Sequence, residues 1–313
     1  MGRTILLLML GLLSGCGQSF SRTEHGRILM GTRARIVMYA ADEGLATEAV
    51  AAAFARIEHL EAILSDWRLE SEVTRLRTAL DGVWNPISPG LDHALRVSMG
   101  VWRDTGGAFD PACGRMSSSW RAARARGEPP LEWTEMMGDA GPPADRVQHR
   151  PGEVRFRAPV PWLDFGGIGK GLAADAAAET IRTFGIDSVL VDIGGDLAIG
   201  AAPPGKVGWT VRVVAHEVPL MLVECGVATS GSGEQHLAGR SHIIDPRTGR
   251  WMRRHEDVTV LAPSAALADA LASAGCVMGA AGLRQVVSDQ EGVTVVTSDL
   301  SKSESARQVG STE

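Results

Sequence analysis

The chain has 313 residues, 44% of them hydrophobic, and carries a formal net charge of −6 at pH 7. This length suffices for one large domain or two fused subdomains, and the negative charge argues against nucleic acid as the main partner. The sequence contains no CxxC pair, no HExxH motif and no Cys/His cluster with zinc spacing, so it offers no recognisable zinc centre.

The N-terminus is typical of an export signal. Arg3 precedes the apolar run 5–13, which is too short to span a bilayer. The residues Leu-Ser-Gly-Cys that end at Cys16 are similar to a lipoprotein cleavage site. We therefore expect residues 1–15 to be a signal peptide and Cys16 to be a lipidated N-terminus, which would tether the exported protein to a membrane, facing the periplasm or the outer cell surface. An ordinary signal peptide or a short membrane anchor is the alternative.

Hydrophobic periodicity predicts the main elements in chain order. We predict strands at 35–40, 154–156, 189–193, 209–214, 220–224 and 257–262, and helices at 45–64, 91–102, 173–184 and 264–278. A long surface excursion is expected at 123–152, and a disordered polar tail at 298–313. Because the later strand pairs resemble hairpins, we predict an α+β (mixed α/β) fold for residues 16–297, with two fused subdomains and mixed or antiparallel sheets flanked by helices.

A glycine-rich segment, Leu-Asp-Phe-Gly-Gly-Ile-Gly-Lys-Gly at 163–171, lies between a predicted strand and a predicted helix. Glycines, a lysine and a helix N-terminus together suit an anionic phosphate group. A Walker A loop is excluded because Asp164 and Gly171 stand where it needs Gly and Ser or Thr, and a Rossmann fingerprint is excluded by Leu172. The segment is either a phosphate cradle or a turn that packs a strand against a helix.

Two further groups of polar residues are candidates for chemistry. Asp269 and Ser273 lie four positions apart on the last predicted helix, so they are neighbours and supply two hard oxygen ligands for Mg²⁺; the alternative is a solvated Asp with an incidental Ser. In the segment 241–249, His242 has the reference pKa of a general base, and Asp245 is placed to orient it or to hold a metal-bound water. The alternative is a hairpin whose His and Asp only bind the backbone.

Eight segments of the sequence, taken in this order, resemble the FAD:protein FMN transferases, also called the ApbE family of flavin-transferring lipoproteins. They span nearly all of the chain after the signal, and they are Met30-Gly31-Thr32, 64–67, 108–111, 163–171, 194–196, 228–231, 241–249 and 258–279. The resemblance implies a Mg²⁺-dependent enzyme that cleaves FAD, attaches FMN through a phosphoester to a Thr or Ser hydroxyl of a partner protein, and releases AMP. Subunits of membrane-bound redox complexes are the acceptors that the resemblance implies.

The resemblance also implies roles for individual residues. The flavin and its phosphates would contact Met30, Trp67, Ala108, Phe109, Asp110, Asp164, Lys170 and the backbone of Ile243. The metal would be held by the carbonyl of Gly167 and by Asp269 and Ser273, where the family usually has Thr at the last position. His242 would activate the acceptor hydroxyl, with Asp245 and Lys170 completing the catalytic set.

Two other functions use the same residues. A Mg²⁺-dependent FAD pyrophosphatase would give the FMN phosphate to water, and a non-catalytic flavin-binding lipoprotein would store or deliver FAD. Storage needs neither a base nor a metal, so the joint presence of Lys170, His242 and the pair Asp269 and Ser273 favours an enzyme.

Overall fold

The computed structural model describes residues 19–131, 143–213, 218–231, 236–237, 240–252 and 257–296. The predicted signal peptide, the predicted lipidation at Cys16 and the predicted polar tail lie outside these residues. The helices are α1 (Glu43–Leu64), α2 (Glu72–Arg75), α3 (Pro89–Asp104), α4 (Gly114–Arg126), α5 (Gly169–Arg182) and α6 (Ala265–Val286), with short 3-10 turns at Leu76–Thr78 and Pro143–Arg146.

The strands of the main sheet are β1 (Ser21–Leu29), β2 (Thr32–Ala40), β6 (Val189–Ile193), β7 (Asp196–Ile199), β10 (Cys225–Ser230), β15 (Val258–Ala262) and β16 (Thr294–Val296). The remaining strands form small sheets: β3 (Trp84–Pro86), β4 (Val147–Arg150), β5 (Glu153–Phe156), β8 (Trp209–Val211), β9 (Leu220–Leu222), β11 (His236–Leu237), β12 (Arg240–Ser241), β13 (Ile244–Asp245) and β14 (Arg250–Trp251).

The main sheet has seven strands in the order β1-β2-β6-β7-β10-β15-β16, and every neighbouring pair is antiparallel. At its centre, Val191 lies opposite Ile36 on one side and Ala198 on the other. The prediction of an α+β fold with antiparallel sheets is therefore confirmed, and a doubly wound parallel sheet is not formed.

Helices α1, α5 and α6 cover one face of this sheet. Phe54 and Ile57 of α1, Ile181 of α5 and Leu271 of α6 are buried there against alternate strand residues, which is the pattern of one apolar stripe per helix. The opposite face packs against the β8–β9 hairpin through Trp209 and its apolar neighbours. The main core therefore lies between the sheet and these three helices, of which α6 carries the predicted metal ligands Asp269 and Ser273.

Helix α6 begins as predicted and extends further than predicted. The Ser264 hydroxyl accepts a hydrogen bond from the Leu267 N–H at 3.2 Å, which caps the first turn. The expected end near Met278 coincides with non-helical backbone at Gly279, after which the helix continues to Val286. Of the helices in the described part of the chain, α6 alone is long and apolar enough to cross a membrane, and most of that stretch is buried inside the protein.

The expected surface excursion at 123–152 is wrong at both of its ends. Helix α4 continues to Arg126, and β4 begins at Val147 and pairs with β5. The charged residues that suggested a loop lie on the solvent side of these elements, because Trp120 and Ala123 supply the buried face of α4. Among the described residues, Cys113, Cys225 and Cys276 form no disulfide bond.

Candidate functional site

The glycine-rich segment forms a compact turn that leads directly into α5. The carboxylate of Asp164 accepts a hydrogen bond from the Gly166 N–H at 2.7 Å, and the Asp164 N–H donates to the Pro111 carbonyl at 2.7 Å. The Gly169 N–H then donates to the Phe165 carbonyl at 2.6 Å. These bonds fix the loop before the helix begins at Gly169, so the positive end of the helix dipole lies at Lys170.

Helices α5 and α6 run antiparallel, side by side, and their contacts assemble the centre of the site. Near the start of α6, the Asp175 carboxylate accepts hydrogen bonds from the Ala265 and Ala266 N–H groups at 2.8 and 2.9 Å. One turn further along α6, the Asp269 carboxylate accepts the Gly171 N–H at 3.1 Å. One more turn brings Ser273 beside the glycine loop. The two predicted motifs are therefore brought together by helix packing.

The oxygen atoms of Ser273, Gly167 and Ser230 lie close together where the glycine loop meets α6. The Ser273 hydroxyl donates to the Gly167 carbonyl at 3.3 Å and lies 3.3 Å from the Ser230 hydroxyl. A Cβ atom at Gly167 would lie 2.9 Å from the Ser273 oxygen, so only glycine leaves this space open. With the Asp269 carboxylate, this is a set of hard oxygen atoms of the kind that Mg²⁺ prefers.

The composition of this oxygen set is mixed. Within the described ranges, no group of three His, Cys, Asp or Glu side chains converges, which is consistent with a site built from one carboxylate, one hydroxyl and one carbonyl. Asp269 is only 2% exposed. The alternative in which Asp269 is a solvated surface residue is therefore wrong.

Lys170 lies between two buried carboxylates. Its ammonium Nζ donates to Asp196 Oδ2 and lies 3.6 Å from Asp269 Oδ1. Burial works against the charge of Lys170, but the carboxylates of Asp269 and Asp196 outweigh it and raise the pKa of the ammonium. Burial and the neighbouring Asp269 raise the pKa of Asp196. Two carboxylates thus lie beside one ammonium.

Asp196 owes its position to a tight glycine turn between β6 and β7. Gly194 and Gly195 have φ values of 60° and 96°, a backbone region that favours glycine. A Cβ at Gly194 would lie 2.8 Å from the Thr32 hydroxyl oxygen, so this turn packs on the segment that follows β1. The motif at 30–32, the motif at 194–196 and the glycine loop therefore meet at one place.

Two of the residues predicted to contact the flavin, Met30 and Phe109, lie against the glycine loop. Met30 adopts a positive φ of 54°, and its terminal methyl would lie 3.5 Å from a Cβ at Gly169. Phe109 is buried, with a ring carbon 3.3 Å from the Cβ position of Gly167. Ala108 is also buried, whereas the Trp67 side chain is 53% exposed. An exposed indole is available for stacking on a ring system.

Asp110 differs from these neighbours because its carboxylate is already engaged. It accepts the Ala112 N–H at 2.7 Å and the Ala144 N–H at 3.2 Å. Burial raises the pKa of Asp110 to about 6. The two hydrogen bonds of Asp110 therefore stabilise the loop that contains Phe109.

The segment 241–249 is a hairpin with a tight turn, as predicted. The Asp245 carbonyl accepts the Thr248 and Gly249 N–H groups at 3.2 and 2.8 Å, and the Asp245 carboxylate accepts Arg247 Nε at 2.9 Å and the Arg247 N–H at 3.0 Å. His242 is exposed. Asp245 is therefore bound to the turn residue Arg247, which supports the alternative of a structural aspartate more than that of an orienting residue.

Backbone bonds fix the loop that carries His242. The Ile243 N–H donates to the Ser241 hydroxyl at 3.2 Å, and the Ile243 carbonyl accepts the Met252 N–H at 2.9 Å. The Arg247 side chain reaches within 3.5 Å of the Cβ position of Gly107. The hairpin therefore lies against the loop that contains Phe109.

Sequence reasoning gave no role to two buried carboxylates near the site. Asp196 belongs to a quoted motif, but its partner Lys170 lies 26 residues away. Asp66 forms an ion pair with Arg121, and burial, together with Asp164, raises its pKa to about 6. Each of these aspartates lies beside an apolar segment in the sequence, and this position indicates that the carboxylate is buried.

The sequence of this chain is similar to those of known proteins. The ApbE family sequence model matches residues 30–297. A protein named FAD:protein FMN transferase from Klebsiella pneumoniae (strain 342) is 28% identical, covering 92% of this chain and 89% of the relative. One of the same name from Treponema pallidum (strain Nichols) is 28% identical, covering 88% and 84%.

Solved structures show the same fold. The ApbE protein from Thermotoga maritima superposes with a TM-score of 0.76 at 25% identity, covering 90% of this chain and 98% of that protein. The flavinyl transferase ApbE from Pseudomonas stutzeri, in its apo form, gives a TM-score of 0.75 at 23% identity, covering 88% and 94%.

Proposed function

This chain belongs to the ApbE family, and from that membership we propose that it transfers the FMN half of FAD to a hydroxyl group of a partner protein. The observation that supports this most directly is that the Ser273 hydroxyl lies on the Gly167 carbonyl, one helical turn along α6 from the Asp269 carboxylate beside Lys170. A flavin-storage protein would need neither the oxygen set nor the buried ammonium.

In the proposed reaction, the oxygen of a Thr or Ser on the acceptor forms a bond to the FMN phosphorus, and the bond from that phosphorus to the AMP oxygen breaks. AMP leaves with the electron pair, and the acceptor proton passes to His242. No electron is exchanged with the flavin. The products are a phosphoester-linked FMN and free AMP.

The residues of the chain would act mainly by position and charge, which is what phosphoryl transfer requires. Lys170 and the N-terminus of α5 would bind the pyrophosphate, and Trp67 and Phe109 would bind the ring system. Gly167, Asp269 and Ser273 would hold Mg²⁺, whose contribution when bound is to neutralise charge on the pyrophosphate oxygens. His242, on its exposed hairpin, is accessible to the hydroxyl of an incoming protein.

The test is to incubate the purified chain with FAD, Mg²⁺ and a flavin-acceptor domain, and to measure covalent in-gel fluorescence and AMP together. We expect both products, and we expect no labelling of an acceptor whose target hydroxyl residue is replaced by valine. AMP without labelling would identify the pyrophosphatase instead. Tight FAD binding with neither product would identify a flavin-binding protein.

Two variants connect this assay to the site. Asp269→Ala is expected to abolish Mg²⁺-dependent turnover, because it removes the only carboxylate of the proposed set. His242→Ala is expected to lower the transfer rate by roughly 10²–10⁴-fold, the usual contribution of a general base, without weakening FAD binding. Full activity in Asp269→Ala would refute the metal assignment.

We further propose that the protein is tethered through a lipid on Cys16. Ser21, where β1 begins, lies five positions after Cys16, so the tether would span at most ~18 Å. This length would hold the domain close to the membrane and to acceptors embedded there. Mass spectrometry of the membrane fraction tests the proposal, and an unmodified Cys16 at the mature N-terminus would overturn it.

A further inference from the structure

Asp196 is a buried carboxylate that the reaction described above does not use. It is 1% exposed, and its Oδ2 accepts a hydrogen bond from Lys170 Nζ. We propose that Asp196 is a positioning residue: it holds the Lys170 ammonium away from Asp269 and so keeps the Asp269 carboxylate available to a divalent cation. This inference rests on the proposed function, which assigns that cation to Asp269.

The unequal distances around Lys170 support this role. Nζ is hydrogen-bonded to Asp196 but lies 3.6 Å from Asp269 Oδ1, which is beyond hydrogen-bonding distance. The Oδ2 atom of Asp269 accepts the neutral Gly171 N–H at 3.1 Å. The ammonium is therefore hydrogen-bonded to Asp196 and within ion-pairing distance of Asp269.

The charges of the cluster lead to the same conclusion. Asp196 and Asp269 together carry two negative charges when ionised, and Lys170 supplies one positive charge. One ammonium thus faces two carboxylates, and its hydrogen bond is to Asp196. If Asp196 lost its charge, Lys170 would turn to Asp269, and it would then compete with a cation for that carboxylate.

The position of Asp196 is fixed by the sheet and not by Lys170. It is the first residue of β7, in register with Ile193 across the hairpin. The preceding turn is closed by a hydrogen bond from the Gly195 N–H to Asp192 Oδ1 at 3.0 Å. Asp196 is thus a rigid acceptor, whereas the Lys170 side chain is the flexible partner that would move.

The experiment measures cation binding by the purified protein in the absence of FAD, with Mn²⁺ followed by electron paramagnetic resonance and Mg²⁺ by calorimetry. Asp196→Asn is expected to weaken binding by about tenfold or more, since one charge at this range is worth at least that factor. Lys170→Met is expected to tighten binding. The double variant has the net charge of the native cluster and is expected to bind as the wild type does.

Asp192→Asn is the matched control. Asp192 lies in the same hairpin and carries the same charge, but it pairs with Arg35 at 3.3 Å and not with Lys170. Its substitution is expected to leave Mn²⁺ affinity unchanged. Urea unfolding of each variant checks that the proteins compared are folded.

The possible results distinguish the metal site, the positioning role of Asp196 and the competition by Lys170. A wild-type protein that binds neither cation refutes the proposed metal site itself. If the wild type binds and Asp196→Asn binds equally well, the metal site stands and the positioning role is refuted. Weak binding by both Asp196→Asn and the double variant would show a merely structural role. Lys170→Met tests the competition alone, and unchanged or weaker affinity in that variant overturns the inference.

Discussion

Gly171 packs so closely against Ala265 that a Cβ atom at Gly171 would lie 2.3 Å from the Ala265 carbonyl oxygen. Real Cβ atoms do not approach backbone oxygens to this distance, so the residue must be glycine. The contact lets α5 and α6 approach at their backbones, and it brings the Gly171 N–H to the Asp269 carboxylate. The last glycine of the loop is therefore required for helix packing, in addition to any role in binding a ligand.

Gly171→Ala is expected to destabilise the protein by ~1–3 kcal/mol or more, because the extra methyl group forces the two helices apart in a packed core. It should also weaken Mn²⁺ binding, since Asp269 moves with α6. Denaturant unfolding and Mn²⁺ titration measure the two effects.

Gly100→Ala is the control for that substitution. Gly100 lies inside α3, and nothing lies within 4 Å of its Cβ position, so alanine should stabilise the protein by about 0.5–1 kcal/mol through helix propensity. A Gly171→Ala protein as stable as the wild type would contradict the close approach of the two helices.

Ser273 is expected to act through its hydroxyl and not through its size. Ser273→Ala removes one oxygen from the set that faces the Gly167 carbonyl, and it should raise the Mg²⁺ concentration needed for half-maximal turnover. Ser273→Thr keeps the hydroxyl and should require a Mg²⁺ concentration close to that of the wild type. Equal Mg²⁺ dependence in the alanine variant would exclude Ser273 as a ligand.

The sequence predicted those parts of the fold that depend on local pattern. The apolar spacing of α1 and the Ser264 cap of α6 are local, and both are confirmed. In the glycine segment, Gly171 packs a helix against another helix, and not a strand against a helix as in the predicted alternative. The phosphate cradle at Lys170 stays a prediction.

Features that join distant residues were not predictable in the same way. The bond between Lys170 and Asp196 depends on how the β6–β7 turn is seated on Thr32, and no spacing along the chain encodes that contact. The engagement of Asp245 with Arg247 depends on side-chain geometry within the turn. Sequence reasoning selected residues such as Gly167, Lys170 and Ser273, which lie close together in the fold, but it did not show which of them bind one another.

Trp67 is expected to contribute to FAD affinity by stacking. Aromatic stacking is worth about 0.5–1.5 kcal/mol beyond the area buried, so Trp67→Ala should weaken FAD binding by roughly two- to tenfold or more. Trp67→Phe should retain most of the affinity. Flavin fluorescence titration measures both, and the turnover number at saturating FAD should change little. An alanine variant that binds FAD as tightly as the wild type would remove Trp67 from the flavin site.

The buried carboxyl group of Asp110 should make stability depend on pH in a direction opposite to that of most aspartates. Burial raises the pKa of Asp110 from its ordinary value of 3.8 to about 6, so the folded protein favours the protonated form. The stabilisation is complete below pH ~4 and is lost as pH rises through ~6, to a total on the order of 2–3 kcal/mol. Asp110→Asn cannot titrate and should lack this loss.

The measurement is urea unfolding of wild type and Asp110→Asn at intervals between pH 4 and pH 7. The free energy of unfolding of the wild type, minus that of the variant, should fall as the pH rises, whatever constant offset the altered hydrogen bonds to Ala112 and Ala144 introduce. Asp66, whose pKa burial also raises to about 6, titrates in both proteins and cancels from the difference. A difference that is flat or that rises with pH would show that Asp110 is ionised at no cost in the folded protein.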